Sequence, residues 1–424
     1  MHEGEGPSAL LLSLNLFLIL VAYYLLKPVR EALILAGGGA EVKSYASAGQ
    51  ALLLLAAVPL YGWLASRVPR RRLINVVTVF FAACLVVFYL LAQAAVPLGI
   101  VFFLWVGVFN LMVPTQLWAF ANDIYTPQAG KRIFVLVAFG ASVGAVVGSW
   151  IAGRLIAPLG VHQLMLVAAG LLVVSLVLTN LVDTRQRGQT SGRAGREAEG
   201  APLPRGSAFA SVLRSRYLIL IGLLALVLNW VNTTGEYLLG RIALESAKDM
   251  VGTAAAGGLD TEALIGKFYA SFFTGVNLAG LVLQLFVVSR VLKYLGVGVA
   301  VLVLPLLALG GYALAAAVPL LAVVRWTKTA ENATDYSLQS TVRQVLFLPT
   351  TREEKYKAKQ VTDTIFVRAG DVLSAVLVFA GTTWLGFAVR EFALANVALA
   401  CVWLGLAVAT GREHARRAKT PARD

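Results

Sequence analysis

Stretches of about 20 mostly apolar residues, the length a helix needs to cross a bilayer, recur along the whole chain. Twelve of them centre near Phe17, Leu55, Cys84, Asn110, Gly144, Gly170, Leu226, Leu278, Leu306, Asn332, Leu373 and Val402. In hydrocarbon every backbone N–H and C=O must find a partner within the protein, so runs of this length restrict the chain to a bundle of spanning helices. Composition agrees: 58% of the 424 residues are hydrophobic, 14% are charged and the mean hydropathy is +0.77. A soluble domain is about 45–50% apolar and about 25% charged. The expected fold is therefore an all-α membrane protein with twelve transmembrane helices. The stretch around Asn332 is the least apolar, because Arg325, Lys328, Glu331 and Asp335 interrupt it. Without a span there, Val318 to Lys359 would form a long connection oddly rich in Val, Leu and Phe.

The net charge of +14 could suit a nucleic-acid partner, but its distribution points to a membrane. One set of alternate connections holds Arg67, Arg70, Arg71 and Arg72, then Lys131 and Arg132, then the arginines between Arg185 and Arg216. Arg290 and Lys293, the run from Arg352 to Lys359 and the tail from Arg412 to Arg423 fall on the same side. The opposite connections hold Lys43, Arg241, Lys248 and Arg390. This asymmetry places both termini in the cytoplasm and makes the number of spans even. No nucleic acid is expected as a partner. Cys84 and Cys401 fall in apolar spans, and His2, His162 and His414 are scattered, so neither a disulfide framework nor a metal site is expected, nor any cofactor. Met1 to Pro7 lacks the basic start of a signal peptide, so the first span is expected to stay in the mature protein.

Residues 183–211, rich in Gly, Arg, Ser and Pro, read as a cytoplasmic linker between two six-helix halves, 1–182 and 212–411, with a basic tail at 412–424. The connection from Arg241 to Leu264 is the longest on the other side and suggests a short surface helix or lid. The halves echo each other: Asn122-Asp123-Ile124-Tyr125 in the fourth span and Thr334-Asp335-Tyr336 in the tenth occupy equivalent places. Repeats of this kind are typical of secondary transporters, whose sites lie near the membrane midplane.

The first span contains Lys27-Pro28-Val29-Arg30-Glu31, with apolar residues on both sides. Lys27, Arg30 and Glu31 are three and four apart and share a helix face. A cation in hydrocarbon costs about 3 kcal/mol on insertion scales, so this cluster reads as a polar pathway or an anion-binding site. In the tenth span Arg325, Lys328, Glu331, Asn332, Asp335 and Gln339 form a polar stripe, read either as a pathway or as internal ion pairs. The seventh span carries Asn229, Asn232 and Glu236 on one face, for a polar ligand or for interhelical hydrogen bonds. In the eleventh, Arg368 and Asp371 can pair locally, and the Arg368 guanidinium can grip two oxygens of a phosphate. Asp123 suits a gate with Lys131 or Arg132. Gly140, Gly144 and Gly148 repeat every four residues and favour close helix packing, while Gly37-Gly38-Gly39 reads as a turn. No nucleophile–base pair or paired-carboxylate motif stands out, so an enzyme is not expected.

Lys27-Pro28-Val29-Arg30-Glu31 continuing to Gly39-Ala40-Glu41, Phe120-Ala121-Asn122-Asp123-Ile124, Asn332-Ala333-Thr334-Asp335-Tyr336-Ser337-Leu338 and the stretch from Lys359 to Asp371 resemble the ATP/ADP translocase family of plastids and intracellular bacteria. The resemblance implies a major-facilitator-like fold and exchange of nucleotides; for this chain a multi-pass monomer in the lipid bilayer of a bacterial inner (plasma) membrane is expected. The resemblance also implies basic residues at work in the first and eleventh spans, matched by Lys27, Arg30 and Arg368. In the fourth span Trp105 to Phe109 holds no carboxylate where the family has one, and in the seventh Asn232 stands at the acidic position, with Glu236 one turn on.

The resulting expectation is a secondary transporter of nucleotides or similar phosphorylated anions. Lys27 and Arg30 bind phosphate with Lys328 and Arg368 facing them, and Asn229, Asn232 and Asn332 contact the polar remainder. Glu31, Asp123, Glu236, Glu331, Asp335 and Asp371 serve as gates or couple ions. A nucleotide, a sugar phosphate and a polycarboxylate all fit these residue types. A proton-coupled carrier of another organic anion, and a scaffold or sensor that keeps the fold without transporting, remain alternatives.

Overall fold

The structure, a computed structural model, describes residues 5–124, 127–189, 215–350, 359 and 361–419. Among these residues it is helical throughout, without strands. The helices are α1 (Glu5–Arg67), α2 (Arg70–Gln93), α3 (Gly99–Ile124), α4 (Pro127–Leu159), α5 (Gln163–Gln189), α6 (Arg216–Met250), α7 (Thr261–Phe286), α8 (Val288–Tyr294), α9 (Gly296–Ala317), α10 (Leu321–Thr334), α11 (Ser340–Leu346), α12 (Val367–Thr383) and α13 (Val389–Lys419). Ten are long and apolar enough to cross a membrane. The first of these stretches, Ala9–Ala65, breaks at Gly39, where φ 83° and ψ 178° lie in a region only glycine adopts readily. It thus supplies two spans with a one-residue turn, at the end of the glycine triplet expected to turn.

The remaining span is the polar one. α10, a π-helical turn at Asp335–Gln339 and α11 follow one another without interruption. A second π turn, Thr362–Phe366, leads into α12. All twelve expected centres therefore lie in helices of span length.

Two sequence expectations are corrected. Lys43 is not in a connection: it sits in the second limb of α1 and is only 5% exposed. Residues 241–250 belong to α6, so the outer connection shrinks to a short segment with a single 3₁₀ turn, Ala254–Ala256. α5 runs to Gln189, into the stretch expected as a linker; most of that stretch, and residues 351–358, lie outside the described residues.

The described chain groups into two compact units, Met1–Gly38 with Leu53–Glu199 and Ala247–Asn277, and Gly39–Leu52 with Gly200–Ser246 and Leu278–Asp424. In the first unit α4 lies against the first limb of α1. A Cβ built on Gly144 would stand 2.5 Å from the Phe17 carbonyl oxygen, and one on Gly148 would stand 2.7 Å from that of Val21. Only glycine permits this approach. Asn15 of α1 is fully buried, donating to Thr179 and accepting from Ser175 of α5. Phe81 and Phe88 join α2 to Phe102, Trp105 and Phe109 of α3 through ring contacts at 5.3 Å. In the second unit α9 packs along α13, and Gly370 brings α12 onto the backbone of α6 at Leu226 and Trp230.

Candidate functional site

The first unit holds Lys27, Arg30 and Glu31 on the first limb of α1. Pro28 follows Lys27 within the helix and has no N–H to give to the Tyr24 carbonyl, which loosens the turn at the lysine. The Lys27 ammonium lies 4.1 Å from the ring centre of Phe273 on α7 and 5.2 Å from that of Tyr24, with Tyr23 at 6.0 Å. The Arg30 guanidinium lies 4.7 Å from the Phe103 ring of α3. Each cation is thus stabilised by aromatic faces, worth about 2 kcal/mol or more where water is excluded. Arg30 also donates from Nε to Glu31 Oε1 at 3.0 Å and pairs with the same carboxylate through Nη2. Glu31 is 1% exposed. Lys27 and Glu31 are thus buried on the first limb of α1, with Arg30 part-buried and paired to Glu31.

The second unit holds a larger network around Lys328, which is fully buried. Its Nζ donates to Asn232 Oδ1 at 2.6 Å, to the Asn232 carbonyl at 3.2 Å and to Glu331 Oε2 at 3.0 Å. Glu236 lies 3.6 Å from Lys328 and 3.8 Å from Lys43, and accepts from Asn332 Nδ2 at 3.0 Å. The Tyr312 hydroxyl donates to Glu331 Oε2 at 2.6 Å. Gly235 leaves room for that hydroxyl: a Cβ there would lie 1.8 Å from it. A second, smaller network joins α6 to α12. Asp371 Oδ1 accepts from Asn229 Nδ2 at 2.6 Å and from Thr233 at 2.9 Å, and Arg368 pairs with Oδ2 at 3.3 Å.

The polar face of α6 therefore splits. Asn229 and Thr233 serve Asp371, while Asn232 and Glu236 serve Lys328. Asp335 pairs with Arg343, 3.9 Å away on the far side of the π turn. The Asp123 side chain, with those of Lys131 and Arg132, lies outside the described residues. Sequence reasoning missed Lys43 and Tyr312. A lysine four residues after a glycine triplet reads as part of an outer loop, and a tyrosine in an apolar span gives no sign of the carboxylate it will meet.

A nearby strap closes the same end of α6. The Tyr237 hydroxyl donates to Glu41 at 2.9 Å, and Arg241 donates to Tyr237 at 3.2 Å and to the Phe387 carbonyl at 3.3 Å. Among the described residues no group of His, Cys, Asp and Glu side chains is arranged to hold a metal ion.

Helices of this number and length, with buried charge at membrane depth, have a counterpart among known proteins. The sequence model of the Major Facilitator Superfamily matches residues 9–346. The chain belongs to the Major Facilitator Superfamily. This facilitator is 24% identical over 340 residues to ADP,ATP carrier protein 1 of Chlamydia trachomatis serovar D, a match covering 70% of this chain and 61% of the carrier, less than two thirds of its length. Among solved structures, a POT family transporter in complex with 5-aminolevulinic acid matches with a TM-score of 0.65 at 15% identity, over 98% of both chains. The nucleoside transporter NupG matches with a TM-score of 0.63 at 12% identity, over 97% of this chain and 99% of that one. At these identities the structural likeness speaks for the shared facilitator fold.

Proposed function

We propose that this facilitator exchanges nucleotides of the ATP/ADP type, or similar phosphorylated anions, by alternating access across a bacterial inner membrane, as a monomer with both termini in the cytoplasm. The observation that carries the reading is the Lys27–Arg30–Glu31 patch. Two cations stand there beside Glu31, and rings able to cover the apolar parts of a ligand flank them. Lys27 offers a point charge and Arg30 a planar fork to phosphate oxygens. The similarity to an ADP,ATP carrier favours a nucleotide as the anion.

Lys328 and Arg368 take part differently. Each is held by carboxylates, so a phosphate reaching either one displaces Glu236 and Glu331, or Asp371. That exchange of partners is the gating role assigned to these acids. Asn229, Asn232 and Asn332 steady the same acids and Lys328 when no ligand is bound, and are released to contact the polar remainder.

The test is uptake of labelled ADP by proteoliposomes loaded with ATP, against empty ones. Uptake that requires internal nucleotide establishes exchange. Uptake driven by a pH gradient without internal nucleotide assigns the protein instead to proton-coupled transport of an anion. No uptake of any phosphorylated anion by folded protein overturns the reading.

A further inference from the structure

The seam between α2 and α5, in the first unit, is a groove with an apolar middle and a basic end. Its middle, of about 430 Å³, is lined by Thr78, Ala82 and Val86 of α2 and by Gly170, Val173 and Leu176 of α5. A second hollow of about 280 Å³ continues from Leu176 to Asn180 and Thr184. Volumes of this order suit a small ligand or part of a larger one. Val79, Val173 and Val177 on its rim are 52%, 52% and 54% exposed, which in a spanning helix means exposed to hydrocarbon. The groove therefore opens sideways to lipid.

Its polar end is built. Arg71 donates to Asn180 Oδ1 at 3.0 Å and pairs with Asp183 at 3.3 Å, and Asn75 and Asn180 exchange hydrogen bonds at 3.2 Å. Arg71 remains 42% exposed. Arg72 beside it is exposed, so this end of α2 carries two cations near Asp183. Arg71, Asn75, Thr78, Ala82 and Val86 follow one face of α2. From Arg71 to Val86 the helix rises about 22 Å at about 1.5 Å per residue, more than the roughly 15 Å of one hydrocarbon leaflet.

We propose that this seam binds one anionic phospholipid, with the phosphate at the Arg71 end and one acyl chain lying between α2 and α5. Basic recesses between membrane helices favour anionic headgroups, and the small side chains Ala82 and Gly170 leave the chain its room. The occupant must bring both a negative headgroup and a long apolar tail, because the groove offers a complement to each. The site is separate from the charged patches assigned to transport, and its test does not depend on the transported substrate.

The test is lipid binding to the purified full-length protein in detergent, read by native mass spectrometry and by thermal shift. Phosphatidylglycerol, phosphatidylcholine and glycerol 3-phosphate are the probes. One retained phosphatidylglycerol per protein is expected, with phosphatidylcholine at least about tenfold weaker and no binding of glycerol 3-phosphate. A Cβ at Gly170 meets nothing within 4 Å, and Gly170→Leu, which adds side-chain volume to the groove, is expected to weaken phosphatidylglycerol binding at least about tenfold. Arg72→Gln, at an exposed position, weakens it several-fold and serves as the second variant should Gly170→Leu fail to fold. Equal binding of both phospholipids, binding of glycerol 3-phosphate as tight as that of the lipid, or full binding by both variants overturns the proposal.

Discussion

Lys27 and Lys328 are both buried lysines on helices that cross the membrane, yet their surroundings differ. Lys27 lies among aromatic faces, in a patch where two cations accompany one carboxylate. Lys328 lies among acids and amides, in a network where two lysines, Lys43 and Lys328, meet two glutamates, Glu236 and Glu331. Aromatic faces stabilise a cation without carrying a full negative charge of their own. Carboxylates cancel the cation's charge, and the pair then holds itself together. The first arrangement is suited to receiving a ligand, the second to holding one conformation until something competes for its partners.

The comparison can be broken by experiment. The largest stability effect is expected in the second network. Lys328→Met leaves Glu331 buried without its cation and is expected to cost about 3–5 kcal/mol in denaturant unfolding. Lys328→Met combined with Glu331→Leu should recover much of that loss, and no recovery would show that the pair is not a unit. Next comes Lys27→Ala, which should lower nucleotide exchange at least about 100-fold, about 2.7 kcal/mol in barrier terms, while the unfolding midpoint changes little. A folded Lys27→Ala protein with full exchange removes the first patch from the transport site. Gly235→Ala drives a methyl into the Tyr312 hydroxyl and should cost about 1–3 kcal/mol of stability. Normal stability there would mean that α6 and α9 have slack between them. The smallest effect is expected from Arg368→Lys, which keeps the charge and loses the fork. A roughly tenfold rise in KM for the nucleotide, with kcat nearly unchanged, would mark Arg368 as a phosphate ligand, whereas unchanged kinetics would leave it only as the partner of Asp371.

Much of the fold was legible because the membrane simplifies the problem: apolar length alone locates most spans. The tenth span escapes a hydropathy criterion, since Arg325, Lys328, Glu331 and Asp335 crowd one stripe of it. It was recoverable only from the apolar residues between them. The Lys27–Arg30–Glu31 patch was legible from helical spacing, and so was the Arg368–Asp371 pair. What spacing does not reveal is who sits opposite. Asn229 and Asn232 look equivalent on α6, yet one steadies Asp371 and the other Lys328. Lys43 was misplaced because the one-residue turn at Gly39 leaves no loop where the glycines suggest one. The aromatic faces over Lys27 come from α1 itself and from Phe273, more than 240 positions later in the chain, a pairing that only the folded structure supplies.

The π turn at Asp335–Gln339 gives the tenth span a property of phase. An α-helix advances about 100° per residue, and a π turn accommodates one residue more than an α turn in the same coil. Lys328 and Glu331 on one side of it and Arg343 on the other are therefore set at an offset that a plain helix of this sequence would not give. If the coil relaxed into a regular α-helix with every residue kept, everything after the turn would rotate by about 100°, and Arg343 would turn away from Asp335. Deleting a single residue between Asp335 and Gln339 would instead close the coil into a regular α-helix and leave the following residues near their present phase. The span should thus tolerate loss of one residue in this turn better than gain of one. Lengthening it by one should impair the protein even if every charged residue is kept.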